Sequence, residues 1–251
     1  GQISFISKEI RIKKRKNIKD INNYELINPL PVSLDEGIIN VKEYTKSCNA
    51  NVYKSFLRKI NPDIIHIHTL MGLHGEFLEV TQRLKIKTIF TSHDYFGICP
   101  KITLYRNGCV CVEDHGCRDC IRCNQTALSL GKIQIMQSSL YRNIKDSFLV
   151  KKMRKNHRQN FFEEESDKMP LLNGKEVNYK AREYRKLRNY YVDMLQKMSF
   201  IHFNSSTTKN IYEKYIPRKK LMEIMNICEE NNIFYTVYTN KTIITKKLTK
   251  Y

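Results

Sequence analysis

Apolar and polar positions follow two rhythms along this chain, and the changes of rhythm mark its elements. The run Ile64-Ile65-His66-Ile67-His68 is short, β-branched and bounded by Asn61-Pro62-Asp63, the pattern of a buried parallel strand. Ile86 to Thr91 predicts a second strand and Phe200-Ile201-His202-Phe203 a third. Helical spacing governs the stretches beside them. Val52, Phe56, Leu57 and Ile60 form one apolar stripe and predict a helix within 40–60. Phe77, Leu78, Val80 and Leu84 predict another over 74–84. Pro62 ends the earlier helix, because a proline pushes its predecessor out of the helical region.

Elsewhere the rhythm is weaker. Ile3-Ser4-Phe5-Ile6 predicts an opening strand, and residues 11–19 read as a basic loop. Asn28-Pro29-Leu30-Pro31 predicts a rigid extended or turn segment. Residues 126–165 are polar and basic, helical from about Ile133, and 163–178 reads as a loop. Over 179–198 the apolar side chains Tyr184, Leu187, Tyr191, Met194, Leu195 and Met198 share a face, while Lys180, Arg182, Arg185, Lys186 and Arg188 mostly look elsewhere. Asn204-Ser205-Ser206 can cap a helix across 207–215. After Pro217 the pattern predicts one helix, then strands at Phe234–Tyr238 and Ile243-Ile244 around an Asn240-Lys241 turn.

Helix, strand, helix, strand with short turns is βαβ grammar. It predicts an α/β domain of Rossmann-like, three-layer type, with a parallel sheet and helices on its faces. Ligands in such sheets bind beyond the carboxyl ends of the strands. The stretches to watch are therefore His68 to Gly75 and Ser92 to Pro100.

Composition changes this picture in two places. The 251 residues hold 44 Lys+Arg against 25 Asp+Glu, a formal net charge of +19. Nucleic acid, an anionic membrane leaflet, or the codon bias of a Lys-, Asn- and Ile-rich chain would each account for it. No apolar run is long enough to span a bilayer, and no secretory signal is evident. Six of the eight cysteines (Cys99, Cys109, Cys111, Cys117, Cys120 and Cys123) fall within 25 positions. Without a secretory signal, such clustering predicts a metal site or reduced thiols.

Three groups could carry chemistry. Alternation puts His66 and His68 on one side of a strand near its end, with His74 shortly after. Thr91-Ser92-His93-Asp94-Tyr95 stands at the carboxyl end of the next strand, where an acid can orient a neighbouring imidazole or act separately. The cysteines offer thiolates at Cys-x-x-Cys spacing for a closed structural zinc site, with an iron–sulfur cluster as the alternative. The favoured ligands are Cys99, Cys111, Cys120 and Cys123, with Cys109 and Cys117 in reserve. No Gly-x-Ser-x-Gly, P-loop or Gly-x-Gly-x-x-Gly is present, which disfavours nucleophile-elbow hydrolases, P-loop enzymes and nicotinamide dehydrogenases.

The string Pro62-Asp63-Ile64-Ile65-His66-Ile67-His68, then Gly72-Leu73-His74, then Thr91-Ser92-His93-Asp94-Tyr95-Phe96-Gly97-Ile98-Cys99-Pro100 resembles the acceptor-side domain of family-four-type glycosyltransferases, in the subset that carries a cysteine group after Cys-Pro. Phe200 to Ser206 resembles that domain's last strand and turn. The resemblance covers roughly 1–217, specifically around 62–123 and loosely over 126–198. It implies half of a two-domain GT-B fold, with a Cys-rich loop at 99–123, a basic helical insertion at 133–198 and a divergent tail at 218–251. It also implies retaining hexosyl transfer from a nucleotide-sugar donor to a lipid-linked or cell-surface polysaccharide acceptor in a bacterium. By resemblance His93 and Asp94 are catalytic, and His68, Gly72, His74 and Tyr95 bind substrate. The family's first strand with its Gly-rich loop and its donor-binding C-terminal domain are not matched here, so the chain alone is expected to be inactive. Peripheral attachment to the cytoplasmic face of a membrane is expected through basic helices around 142–158 and 180–188. A non-enzymatic binding module and a Cys-metal nucleic-acid binder are the alternatives. The strand-end histidines have no task in the second, so no nucleic-acid partner is expected.

Overall fold

The computed structural model describes residues 1–4, 8–18, 20–106, 108–112, 115–163, 172–216, 235–238 and 243–246. In chain order its first elements are β1 (Arg11–Ile18), β2 (Ile21–Ile27), α1 (Asn51–Ile60), β3 (Ile64–Ile67), α2 (Gly75–Arg83) and β4 (Lys87–Ser92). The short strands β5 (Tyr105–Arg106) and β6 (Cys109–Val110) follow, then α3 (Arg118–Cys123), α4 (Leu130–Met136), α5 (Ser139–Ile144), α6 (Phe148–Glu163) and α7 (Gly174–Lys197). β7 (Phe200–Phe203), α8 (Ser206–Tyr212), β8 (Tyr235–Tyr238) and β9 (Ile243–Lys246) complete the order.

The centre is a parallel sheet in the order β3-β4-β7, flanked by helices. This is a mixed α/β fold of Rossmann-like kind. The register sets Ile67 beside Phe90, Phe90 beside Ile201, and Thr91 beside His202. Side chains alternate across a strand, so Ile67, Phe90 and Ile201 share one face. That face is buried against Leu78 of α2 and against Tyr191, Met194 and Leu195 of α7, in one continuous core. Three tyrosines fasten it: Tyr184 donates to the Ile38 carbonyl at 2.7 Å, Tyr191 to the Tyr44 carbonyl at 2.8 Å, and the Gly75 amide donates to Tyr190 Oη at 2.6 Å. α1 closes a second cluster, with Tyr53 and Leu57 against Val80. It ends where Asn61 turns left-handed at φ 48° and returns its amide to the Leu57 carbonyl. Asn tolerates that conformation better than most residues.

Several expectations need correction. Residues 11–18 form a strand rather than a basic loop, pairing antiparallel with β2. Ile12 faces Leu26, and both pack with Phe56 of α1, so a few apolar positions outweigh the lysines. Glu25 accepts Arg15 Nε at 2.6 Å and pairs with Arg142. Burial alone would raise its carboxyl; the two guanidiniums hold it below the usual range. The helix expected within 40–60 is a single turn at Val41–Thr45 followed by α1. Between them the Cys48 amide donates to Glu76 at 3.0 Å and Asn51 to its neighbour Asn49, which favours non-helical backbone. α7 begins at Gly174, inside the expected loop, because Asn173 and Glu176 form a reciprocal capping box.

Of the opening strand, Gln2 and Ile3 make parallel bridges to Ile27 and Ser138, while Phe5 and Ile6 lie outside the described residues. The expected tail strands are present as the antiparallel pair β8 and β9, and the helix and turn expected around them lie outside the described residues. Among the described residues no helix is long and apolar enough to cross a membrane.

Candidate functional site

The register that buries Ile67, Phe90 and Ile201 turns the alternate residues the other way. Ile64, His66 and His68 lie on that opposite face with Ile89, Thr91 and His93, and with Phe200 and His202. Thr91 is buried, and the four histidines are exposed. This is unusual for a parallel strand, which ordinarily reads apolar on both faces. The imidazoles gather toward the carboxyl ends of all three strands, where α/β sheets hold ligands.

They form two linked pairs. His68 Nδ1 and His93 Nε2 are 2.9 Å apart, with the rings 5.2 Å apart and nearly parallel. That bond needs one donor and one acceptor, so one imidazole presents its N–H to the other's ring lone pair. Thr91 Oγ1 bridges the other two, at 2.8 Å from His66 Nε2 and 3.3 Å from His202 Nδ1. The hydroxyl can donate to one imidazole while accepting from the other. The His66 and His68 rings are 4.0 Å apart, which joins the pairs into one patch. Burial pulls the His66 pKa down, and His68, His202 and His93 add to the fall. Burial and His93 do the same to His202. His66 and His202 are therefore held toward the neutral form. Each offers a donor and an acceptor, suited to hydroxyl-rich ligands and to moving a proton.

Other residues singled out from the sequence stand apart from this patch. His74 is 5% exposed, and its Nδ1 lies 3.0 Å from the Tyr53 hydroxyl beneath α2. Burial lowers its pKa, against a smaller opposite pull from Glu76. Asp94 turns its carboxylate to the Phe96 amide at 2.9 Å, and its carbonyl accepts from the Tyr212 hydroxyl at 2.9 Å. Burial raises the Asp94 pKa, while the Phe96 amide and His93 oppose that rise. Tyr95 packs on the core and stacks with Tyr212 at 6.2 Å. Gly72 supplies a left-handed turn at φ +80°, and its carbonyl accepts the Leu30 amide. Of the six, His68 and His93 meet. Sequence reasoning assigned no role to His202, although its place in Phe200-Ile201-His202-Phe203 carried the same alternation as His66.

The cysteines make a second locus. Cys99, Cys111, Cys120 and Cys123 all line one cavity of about 30 Å³ with Asp119 and Arg188. Cys109 is exposed, and Cys117 is buried at the start of α3. Burial pushes the Cys99 thiol up to about 11, with Cys111 adding to the rise and Arg188 opposing it. These are thiols rather than disulfides. Among the described residues no three His, Cys, Asp or Glu side chains are set so that they could hold one metal ion. The four favoured cysteines are thus neighbours around one cavity.

No protein-family pattern matches the chain, and no solved structure matches it. A curated protein of Klebsiella pneumoniae, described as an uncharacterized 42.6 kDa protein in the cps region, is 32% identical over 59 residues. The matched stretch is 24% of this chain and 16% of that protein, so the chain spans a small part of its relative's length. The likeness is weak and partial, and it is to a protein of a capsule-polysaccharide gene region.

Proposed function

We propose that this chain is the acceptor-side half of a sugar-transferring enzyme of polysaccharide biosynthesis. In that reading a nucleotide sugar is the donor and a lipid-linked or cell-surface saccharide the acceptor. One observation carries it: four imidazoles and a threonine hydroxyl share the open face of a parallel sheet at its strand ends, with His68 bonded to His93 at 2.9 Å. The partial likeness to a protein from a cps region supports a polysaccharide-related role. The specific class is family-four-type glycosyl transfer, supported by the strand-end motifs that carry the resemblance.

His93 then meets the saccharide directly, and His68 fixes which of its ring nitrogens carries the proton. A hydroxyl of the acceptor is held by paired donor and acceptor nitrogens. Asp94 shapes the backbone that presents His93, through its bond to the Phe96 amide. In this reading donor recognition lies with the other half of such an enzyme, and the histidine face binds the saccharide.

Calorimetric titration of the 251-residue chain with a short lipid-linked oligosaccharide tests this. Binding is expected, and His93→Ala is expected to remove it without moving the unfolding midpoint. Failure of the unaltered chain to bind, or equal binding by His93→Ala, contradicts the assignment.

A further inference from the structure

The histidine face makes no use of α5 and α6, which carry a surface of their own. The Ile3 amide donates to the Gln137 carbonyl just before α5, and Arg142 pairs with Glu25, so the start of this segment is tied to the body. From Arg142 to Asn156 every side chain except Val150 is exposed. Four of them are large and apolar, Ile144 at 44%, Phe148 at 78%, Leu149 at 71% and Met153 at 70%, and Leu140 just before the stretch is 68% exposed. Single exposed apolar residues are ordinary, but five within one short segment form a patch that wants a non-aqueous partner. The same stretch holds Arg142, Lys145, Lys151, Lys152, Arg154 and Lys155 against Asp146 alone. At helical spacing Leu149, Val150 and Met153 share one side of α6, and Lys151, Arg154 and Lys155 the other.

We infer that α5 and the start of α6 form a docking surface for an anionic lipid bilayer. The apolar side chains enter the headgroup and acyl boundary, and the cations meet the lipid phosphates. Charge complementarity selects an anionic surface, and the apolar residues select a bilayer over nucleic acid, which would leave Phe148, Leu149 and Met153 in water. The second basic surface, on α7, differs. Lys175, Arg182 and Arg185 stand there with Arg118 around one exposed ring, Tyr179, which Lys42 and Arg182 flank at 5.8 and 5.5 Å. Cations around a single ring with a polar tip, and no cluster of apolar side chains, make it a solvated face. Of the two basic stretches the sequence nominated, the structure assigns docking to the first. The inference is independent of the sugar-transfer reading, since no histidine of the sheet takes part.

The test is co-sedimentation of the full chain with phosphatidylcholine vesicles, with and without phosphatidylglycerol. Binding to the anionic vesicles is expected to exceed binding to neutral ones by about tenfold or more. F148S/L149S/M153S and K151E/K152E/K155E are each expected to cut it by a similar factor, with circular dichroism and unfolding midpoint unchanged because these side chains are exposed. K180E/R182E/R185E, a matched change on α7, is expected to leave most of the binding. No binding, equal binding to both vesicles, indifference to the α6 changes, or an equal loss on the α7 change each overturns the assignment.

Discussion

The two faces of the three-stranded sheet are built from the same backbone and differ in almost everything else. On one, Ile67, Phe90 and Ile201 are buried against α2 and α7. On the other, His66, His68, His93 and His202 are exposed around a buried Thr91. A parallel strand normally buries both faces, so a polar set on one face is a departure that stability does not explain. The lesson is that each face has its own job: the first holds the domain together, and the second presents hydrogen-bonding groups at the place where α/β sheets bind ligands.

Substitutions on opposite faces of the neighbouring strands β3 and β4 should separate the jobs. Phe90→Ala empties a filled core position and is expected to cost about 3–5 kcal/mol in urea unfolding. His68→Ala is expected to stay within about 0.5 kcal/mol while weakening saccharide binding. A large stability loss at His68 would make that face structural after all.

His74 sharpens the contrast, because it is a histidine on the structural side. His74→Ala leaves the buried Tyr53 hydroxyl without its imidazole partner and is expected to cost about 1–3 kcal/mol. A cost near zero would show that the pair does not matter to the fold.

The third prediction concerns pH. Burial lowers the native pKa of His74, so the unfolded chain binds more protons once pH drops below the ordinary histidine value of 6.5. Its contribution is fully present above that value, is lost as pH falls toward the native pKa, and levels off below it. His66 and His202 act in the same sense, though their exposure makes them weaker contributors. Unfolding midpoints measured at neutral and mildly acid pH should fall with pH, and His74→Gln should flatten the fall. A midpoint that rises as pH falls through this window contradicts the sign.

The smallest expected effect is at the cysteines. Since no three donors are set about one point among the described residues, a chelator is expected to leave the unfolding midpoint unchanged. A fall on chelation would support the zinc that the Cys-x-x-Cys spacing predicts.

Much of the sheet was legible because its strands are short β-branched runs fenced by Pro or polar turns, as at Asn61-Pro62-Asp63 before β3. α2 was legible because its apolar positions keep strict helical spacing. The β1–β2 hairpin was hidden, since Ile10 and Ile12 are too few to stand out among lysines and their meaning depends on Leu26 and Phe56 far along the chain. The start of α7 was hidden in a polar stretch, although Asn173-x-x-Glu176 is a local capping signal. In the site, His68 and His93 were legible from their strand ends. The roles of His202 and His74 were not, because each depends on a partner that only the fold supplies, Thr91 and Tyr53; the bond from the Phe96 amide to Asp94 is a local turn two residues long.

The central claim is that the histidine-bearing face meets saccharide. Histidine ring proton resonances, followed by NMR as a lipid-linked oligosaccharide is titrated into the chain, test it most directly. The account predicts that His68 and His93 shift together and saturably, and that the buried His74 does not move. Shifts at His74 equal to those at His93, or none at His68 and His93, would contradict it.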